Sequence, residues 1–138
     1  MDSIFYDMKK VILLFIVCTI ANMVYAQQTD TTVVFQKIVH DFGTILDSDG
    51  VQSYSFEFSN KGNYPVTIQK VTSSCGCTTP DWTKEPVVPG QKGYVKVSFN
   101  PSGITTFNKS ITVNIAGGNP EVVVLHIQGN VTLSAGKQ

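Results

Sequence analysis

The sequence predicts an all-β fold, a β-sandwich, on three observations. From Gln27 onward apolar and polar residues alternate, and no helical period appears. Clusters of Gly, Pro and Asn interrupt the alternation about every 10 to 15 residues. The chain has 138 residues, one domain's worth and enough for one core. Short strands at that spacing pair into two facing sheets; a small closed barrel is the alternative.

The first strand is expected over Thr31–Val39, leading into the turn His40-Asp41-Phe42-Gly43. Gln52–Ser59 alternates cleanly, with Tyr54, Phe56 and Phe58 inward, and Asn60-Lys61-Gly62-Asn63 stops it with residues that tolerate positive φ. Pro65–Thr72 follows; Val66 and Ile68 share a face but Val71 is out of phase, which predicts a bulge or bend near Gln69. A brief edge strand is expected near Thr78. Gly93–Phe99 points Val95, Val97 and Phe99 inward, and Phe107–Ile115 does the same with Ile111, Val113 and Ile115. Glu121–Leu133 is the last strand, with Val123, Leu125, Ile127 and Val131 on one face; Val122 and Val124 predict partial cover on the other.

Residues 1–26 are expected to lie outside this fold. Met8-Lys9-Lys10 precedes an apolar run from Val11 to Ala21, and Val24 and Ala26 occupy the −3 and −1 positions of a secretory signal cleaved before Gln27. Met8 is an alternative start, since Asp2 and Asp7 are foreign to a signal. Val11–Ala26 is short against the roughly 20 apolar residues of a membrane span, and Val17 is too bulky to precede a lipidated Cys18. The expected mature chain, 27–138, is a single domain without a membrane span, exported to the periplasm or the extracellular space.

Lys and Arg total 10, all of them Lys, against 10 Asp and Glu. A net charge of zero removes the electrostatic basis for binding nucleic acid. No phosphate-binding Gly loop, carboxylate pair or Ser nucleophile motif can be read, so the chain is expected not to be an enzyme and to need no cofactor.

Cys75-Gly76-Cys77 is the segment with the most chemical potential. One reading is structural, two small half-buried residues with Gly76 supplying an unusual backbone angle. A second is a redox pair: in an extended strand the two Cα atoms stand about 6.6 Å apart, so a disulfide closes only if the chain bends. A third is a Cu(I) site made by two thiolates, without help from methionine because Met1, Met8 and Met23 precede the cleavage position. His40 reads as a strand-end residue whose imidazole bonds to backbone, and His126 as an outward residue of the last strand. Trp82 either caps the sandwich beside Pro80 or anchors a partner.

The segments His40-Asp41-Phe42-Gly43-Thr44-Ile45, Phe56-Glu57-Phe58-Ser59-Asn60-Lys61-Gly62, Pro65-Val66-Thr67-Ile68 and Ser74-Cys75-Gly76-Cys77-Thr78-Thr79-Pro80-Asp81-Trp82, with Pro89-Gly90, Val97-Ser98-Phe99-Asn100-Pro101 and Gly103, occur in an order found in one exported bacterial family. Over Val33–Val131 the chain resembles the domain of unknown function numbered fifteen seventy-three, common in Bacteroidota. One piece departs: Thr106 stands before Phe107 where members often have Gly. The resemblance implies a seven-stranded antiparallel Ig-like sandwich, similar to Hydin-type and major sperm protein domains, and no established activity. The expected function is therefore an exported, non-enzymatic module that binds protein or belongs to the cell envelope. Thiol redox or copper handling at Cys75 and Cys77 is the alternative.

Overall fold

A computed structural model describes residues 7–14, 30–76 and 78–134, with Thr79 by its backbone only. The chain divides into two units, Met1–Asp30 and Thr31–Gln138. In the first, residues 7–14 are helical and exposed; the cleavage position and Cys18 lie outside the described residues. No helix among the described residues is long and apolar enough to cross a membrane.

The second unit has eight strands: β1 (Val33–Phe35), β2 (Val39–Leu46), β3 (Gln52–Asn60), β4 (Thr67–Ser73), β5 (Thr78–Trp82), β6 (Lys92–Phe99), β7 (Thr105–Ala116) and β8 (Val122–Thr132). One sheet runs β1-β3-β6-β5 and the other β2-β8-β7-β4. The sandwich is as expected, but the strand count is corrected from seven to eight, because the first expected strand ends at Phe35 as β1 and the segment expected to turn at His40–Gly43 lies within a further strand, β2. Val33 and Phe35 face the core from the first sheet, and His40 and Ile45 from the second, so the inward phase breaks between Phe35 and His40. The backbone changes partner over the same stretch: Gln36 donates to the Glu57 carbonyl at 3.0 Å, and the Ile38 carbonyl accepts from His126 at 2.8 Å. The expected all-antiparallel pairing is also corrected, since β2 runs parallel to β8. The chain keeps its direction as it steps from β3 to β8, and β8 runs opposite to β3, so the new pairing is parallel.

The core is the set the alternation picks out. Phe56, Phe58, Val95, Val97 and Phe99 of the first sheet face Ile111, Val113, Ile115, Leu125, Ile127 and Val131 of the second, all buried. Gly93 lies under Phe58, where an added Cβ would stand 2.5 Å from the ring. The bulge expected near Gln69 is present as a register shift between Ile68 and Lys70. Val122 and Val124, where partial cover is expected, are 51% and 42% exposed.

Asn60 is likewise not a turn residue. It ends β3 fully buried, donating its side-chain amide to the carbonyls of Tyr64 (2.7 Å) and Val87 (2.8 Å) and accepting from the Gly62 amide (2.9 Å). No described residue other than glycine has positive φ.

Candidate functional site

The cysteine loop crosses between the sheets, from β4 to β5. Ser73 Oγ donates to the carbonyls of Cys75 (2.8 Å) and Thr78 (3.0 Å), and Ser74 is tied to Ser110 of β7 through both its amide and its hydroxyl. Cys75 is half-buried and disulfide-bonded. Its sulfur therefore carries no proton, and the Thr78 hydroxyl donates to it across 3.6 Å. Cys77 lies outside the described residues. Gly76 is not among the positive-φ glycines, which corrects the unusual angle expected there. A disulfide sulfur offers no thiolate for copper, and no three His, Cys, Asp or Glu among the described residues converge on a metal position.

The His40-Asp41-Phe42-Gly43 motif is a structural device rather than a turn. One extra residue is inserted in β2 between Asp41 and Thr44 relative to β8. Gly43, at φ 67°, takes the left-handed conformation such a bulge requires. Asp41 secures it, accepting from the Gly43 amide (2.7 Å) and from Gln128 Nε2 (2.9 Å), and these bonds, Gln128's first, hold its carboxyl below the usual carboxylate range.

The backbone hydrogen bond expected for the His40 ring is not found among the described residues. The ring stacks on Tyr54 of β3 (3.6 Å between centroids, 9° between planes) and meets Phe42 edge-on at 4.5 Å, joining the two sheets. Loss of water around the ring lowers its pKa from 6.5; Lys37 adds to this and Asp41 opposes it. The folded state thus binds a proton less readily than the unfolded chain. The contribution of His40 is complete above pH 6.5 and is lost as pH falls from there through the lowered pKa. Urea midpoints of the domain are expected to fall from about pH 7.5 to about pH 5.5, and His40→Gln to flatten that fall.

Trp82 is half-buried against the core, and its outer ring face carries Lys84 Nζ at 3.1 Å, itself 3.6 Å from Asp81. His126 lies half-buried on the outer face of β8, in register with Val39 and Ser110. An open groove of about 390 Å³ lies on the same face, lined by Asp41, Thr106, Asn108, Gln128 and Asn130. Two of its contacts are internal, Gln128 to Asp41 and Thr106 to Asn130. His40 belongs to the side of the sandwich where β2 meets β3, whereas Cys75 and Trp82 belong to the side where β4 meets β5. They form no common site.

The sheet edges supply the feature that sequence reading missed. An unpaired edge invites another strand unless something blocks it. β5 carries Pro80; the Thr83 amide bonds to Tyr94, so the alternate residue Pro80 turns its missing N–H outward. β2 is bulged at Asp41–Thr44, and β4 at Ile68–Lys70 with the charge of Lys70 beside it. β1 is only three residues long, and its Val33 amide is taken by Asn119 at 3.4 Å.

Where β1 stops, β3 becomes the edge. Asn60 exchanges bonds with Gln91 and Gly90 on the β6 side, whereas the Glu57 carbonyl accepts from Gln36 on the β1 side. Residues alternate between these sides, so Ser53 and Ser55 each turn an N–H and a C=O outward, with no backbone partner among the described residues. No Lys, Pro or register shift interrupts Gln52–Phe56. Beside this open edge lie three half-buried rings, His40, Phe42 and Tyr54. The signal available in the sequence was an alternating strand without a blocking residue.

Comparison with known proteins bears on the fold. The family model described as "Protein of unknown function (DUF1573)" matches residues 33–131. No curated protein matches. Among solved structures, the chain is similar to PapD-like domain 7 of human CEP192 (TM-score 0.64, 12% identity, covering 80% of this chain and 92% of that one). It is also similar to a protein of unknown function from Porphyromonas gingivalis W83 (0.57, 19%, covering 78% and 50%). A third likeness is to the secreted serine protease VesC of Vibrio cholerae (0.56, 10%, covering 78% of this chain). The chain spans about half the length of the Porphyromonas protein and 24% of VesC. At these identities the likenesses establish the two-sheet, Ig-like fold.

Proposed function

The chain belongs to the family of proteins of unknown function DUF1573, and from that premise we propose that it is an exported, non-enzymatic Ig-like module that binds protein in the periplasm or outside the cell. The observation that carries the reading is the unequal treatment of the sheet edges. Bulges, a proline and a truncated strand mark the four edge strands, while Ser53 and Ser55 leave four main-chain hydrogen-bonding groups without a backbone partner among the described residues. Main-chain groups on a sheet edge recognise another main chain, which makes protein the natural partner. Export is supported by Met8-Lys9-Lys10 and the apolar run that follows.

The test uses the full chain in its native cells. A photo-reactive residue replacing Ser53 is expected to yield a discrete protein adduct that the same residue replacing Glu121 does not. Equal adducts from both positions, or none, would contradict the reading. Export is checked on the same sample, where the mature N-terminus is expected at Gln27; an uncleaved cytoplasmic chain would refute it.

A further inference from the structure

We infer that the open stretch of β3 accepts an extended segment of a partner protein, added antiparallel in the lane that β1 vacates, with every second side chain laid on the ledge formed by His40, Phe42 and Tyr54. This rests on the protein-binding reading and specifies its site and the chemistry of the partner.

β1 already pairs antiparallel with β3 through Phe35↔Phe58, and then leaves for the other sheet. A segment continuing that lane meets the outward groups of Ser53 and Ser55 in the same sense. The stretch Gln52–Phe56 spans about 17 Å as a strand, so about five partner residues fill it. Partner residues opposite Ser53 and Ser55 point to solvent, as those exposed serines do. Their neighbours, opposite Gln52, Tyr54 and Phe56, point inward over the half-buried rings. The partner segment is therefore proline-free, with apolar residues at alternate positions, because the ledge itself is made of three half-buried rings.

A second copy presenting the same edge fits less well. Its Tyr54 and Phe56 are committed to its own interior, so it would pair the backbones but leave the ledge uncovered. A partner segment with free side chains does both.

The probe is a synthetic peptide of about eight residues alternating Val and Thr, with a lysine at each end for solubility. Its control is N-methylated at the amides that would face β3. Added to the mature domain, the unmodified peptide is expected to shift the Ser53 and Ser55 amide resonances and slow their hydrogen exchange at least about tenfold at saturation. The methylated peptide and the variant Ser55→Pro are expected to lose the effect. Ser55→Pro removes only an outward N–H, and dispersed amide spectra check that it folds. Should folding fail, the methylated peptide decides alone. Peptide shifts mapping to β5 or β2, or persisting with the methylated peptide, would overturn the inference. So would protection of Ser53 and Ser55 that depends on protein concentration without peptide, since a second copy would then be the occupant. Failure of the peptide alongside a specific adduct from position 53 overturns strand addition and leaves protein binding standing; failure of both removes both.

Discussion

Phe58→Ala is expected to cost the domain about 3–5 kcal/mol, read as a lower urea midpoint at unchanged slope. The side chain is fully buried, and its removal loses transfer free energy and leaves a cavity. The neighbourhood is poorly placed to collapse. On one side the ring rests on Gly93, which has no side chain to move, and on another it meets Phe35 at 5.2 Å on a strand three residues long. Losing that contact loosens β1 as well, so the cost is expected at the upper end for a Phe truncation. Phe58→Leu, which retains most of the volume, is expected to cost less than half as much.

Asn60→Leu is expected to be nearly as severe, although it exchanges a polar residue for an apolar one of similar size in a fully buried position. The amide satisfies the Tyr64 and Val87 carbonyls and the Gly62 amide. Leucine leaves these three groups without that partner. An unsatisfied buried group costs roughly 1–3 kcal/mol. The Val87 carbonyl keeps its bond to the Val66 amide and the region is part-buried rather than dry, so about 3 kcal/mol in total is expected. Asn60→Asp separates the roles: it keeps the acceptor for Gly62 but turns a buried carboxylate toward the Tyr64 and Val87 carbonyls, and is expected to cost at least as much as Asn60→Leu in urea unfolding at pH 7.

These two residues also mark where the sequence was legible. The alternation of β3 places Phe58 in the core, and the same spacing on other strands places Val97, Ile111, Val113 and Leu125 there, because period-2 burial needs only local information. The bulge at Gln69 was legible for the same reason, as a break in that spacing. Asn60 sits in a segment with the composition of a turn; its burial depends on the Val87 carbonyl, 27 residues away. The step from β1 to β2 lacks any Gly or Pro to announce it, and the parallel sense of β2 and β8 is a property of two distant strands. His40 looks like a strand-end residue because the Asp41–Gly43 bulge resembles a turn in sequence. The exposure of Val122 and Val124 depends on what covers the outer face, and no strand carries that information alone.

The open edge follows from the same limit. Ser53 and Ser55 look like ordinary outward residues of a half-buried strand, and only the departure of β1 into the other sheet leaves their main-chain groups uncovered. The two outward serines and the inward Tyr54 thereby combine with His40 and Phe42 of a different sheet into one surface.

Amide hydrogen exchange in the free protein tests that central claim most directly. The main-chain groups of Tyr54 and Phe56 face β6, and their amides are expected to exchange with the slow core, whereas the Ser53 and Ser55 amides on the same strand are expected to exchange at least about a hundredfold faster. Equal protection of all four amides in a dilute monomer would mean that the edge of β3 is already covered, and would contradict the account.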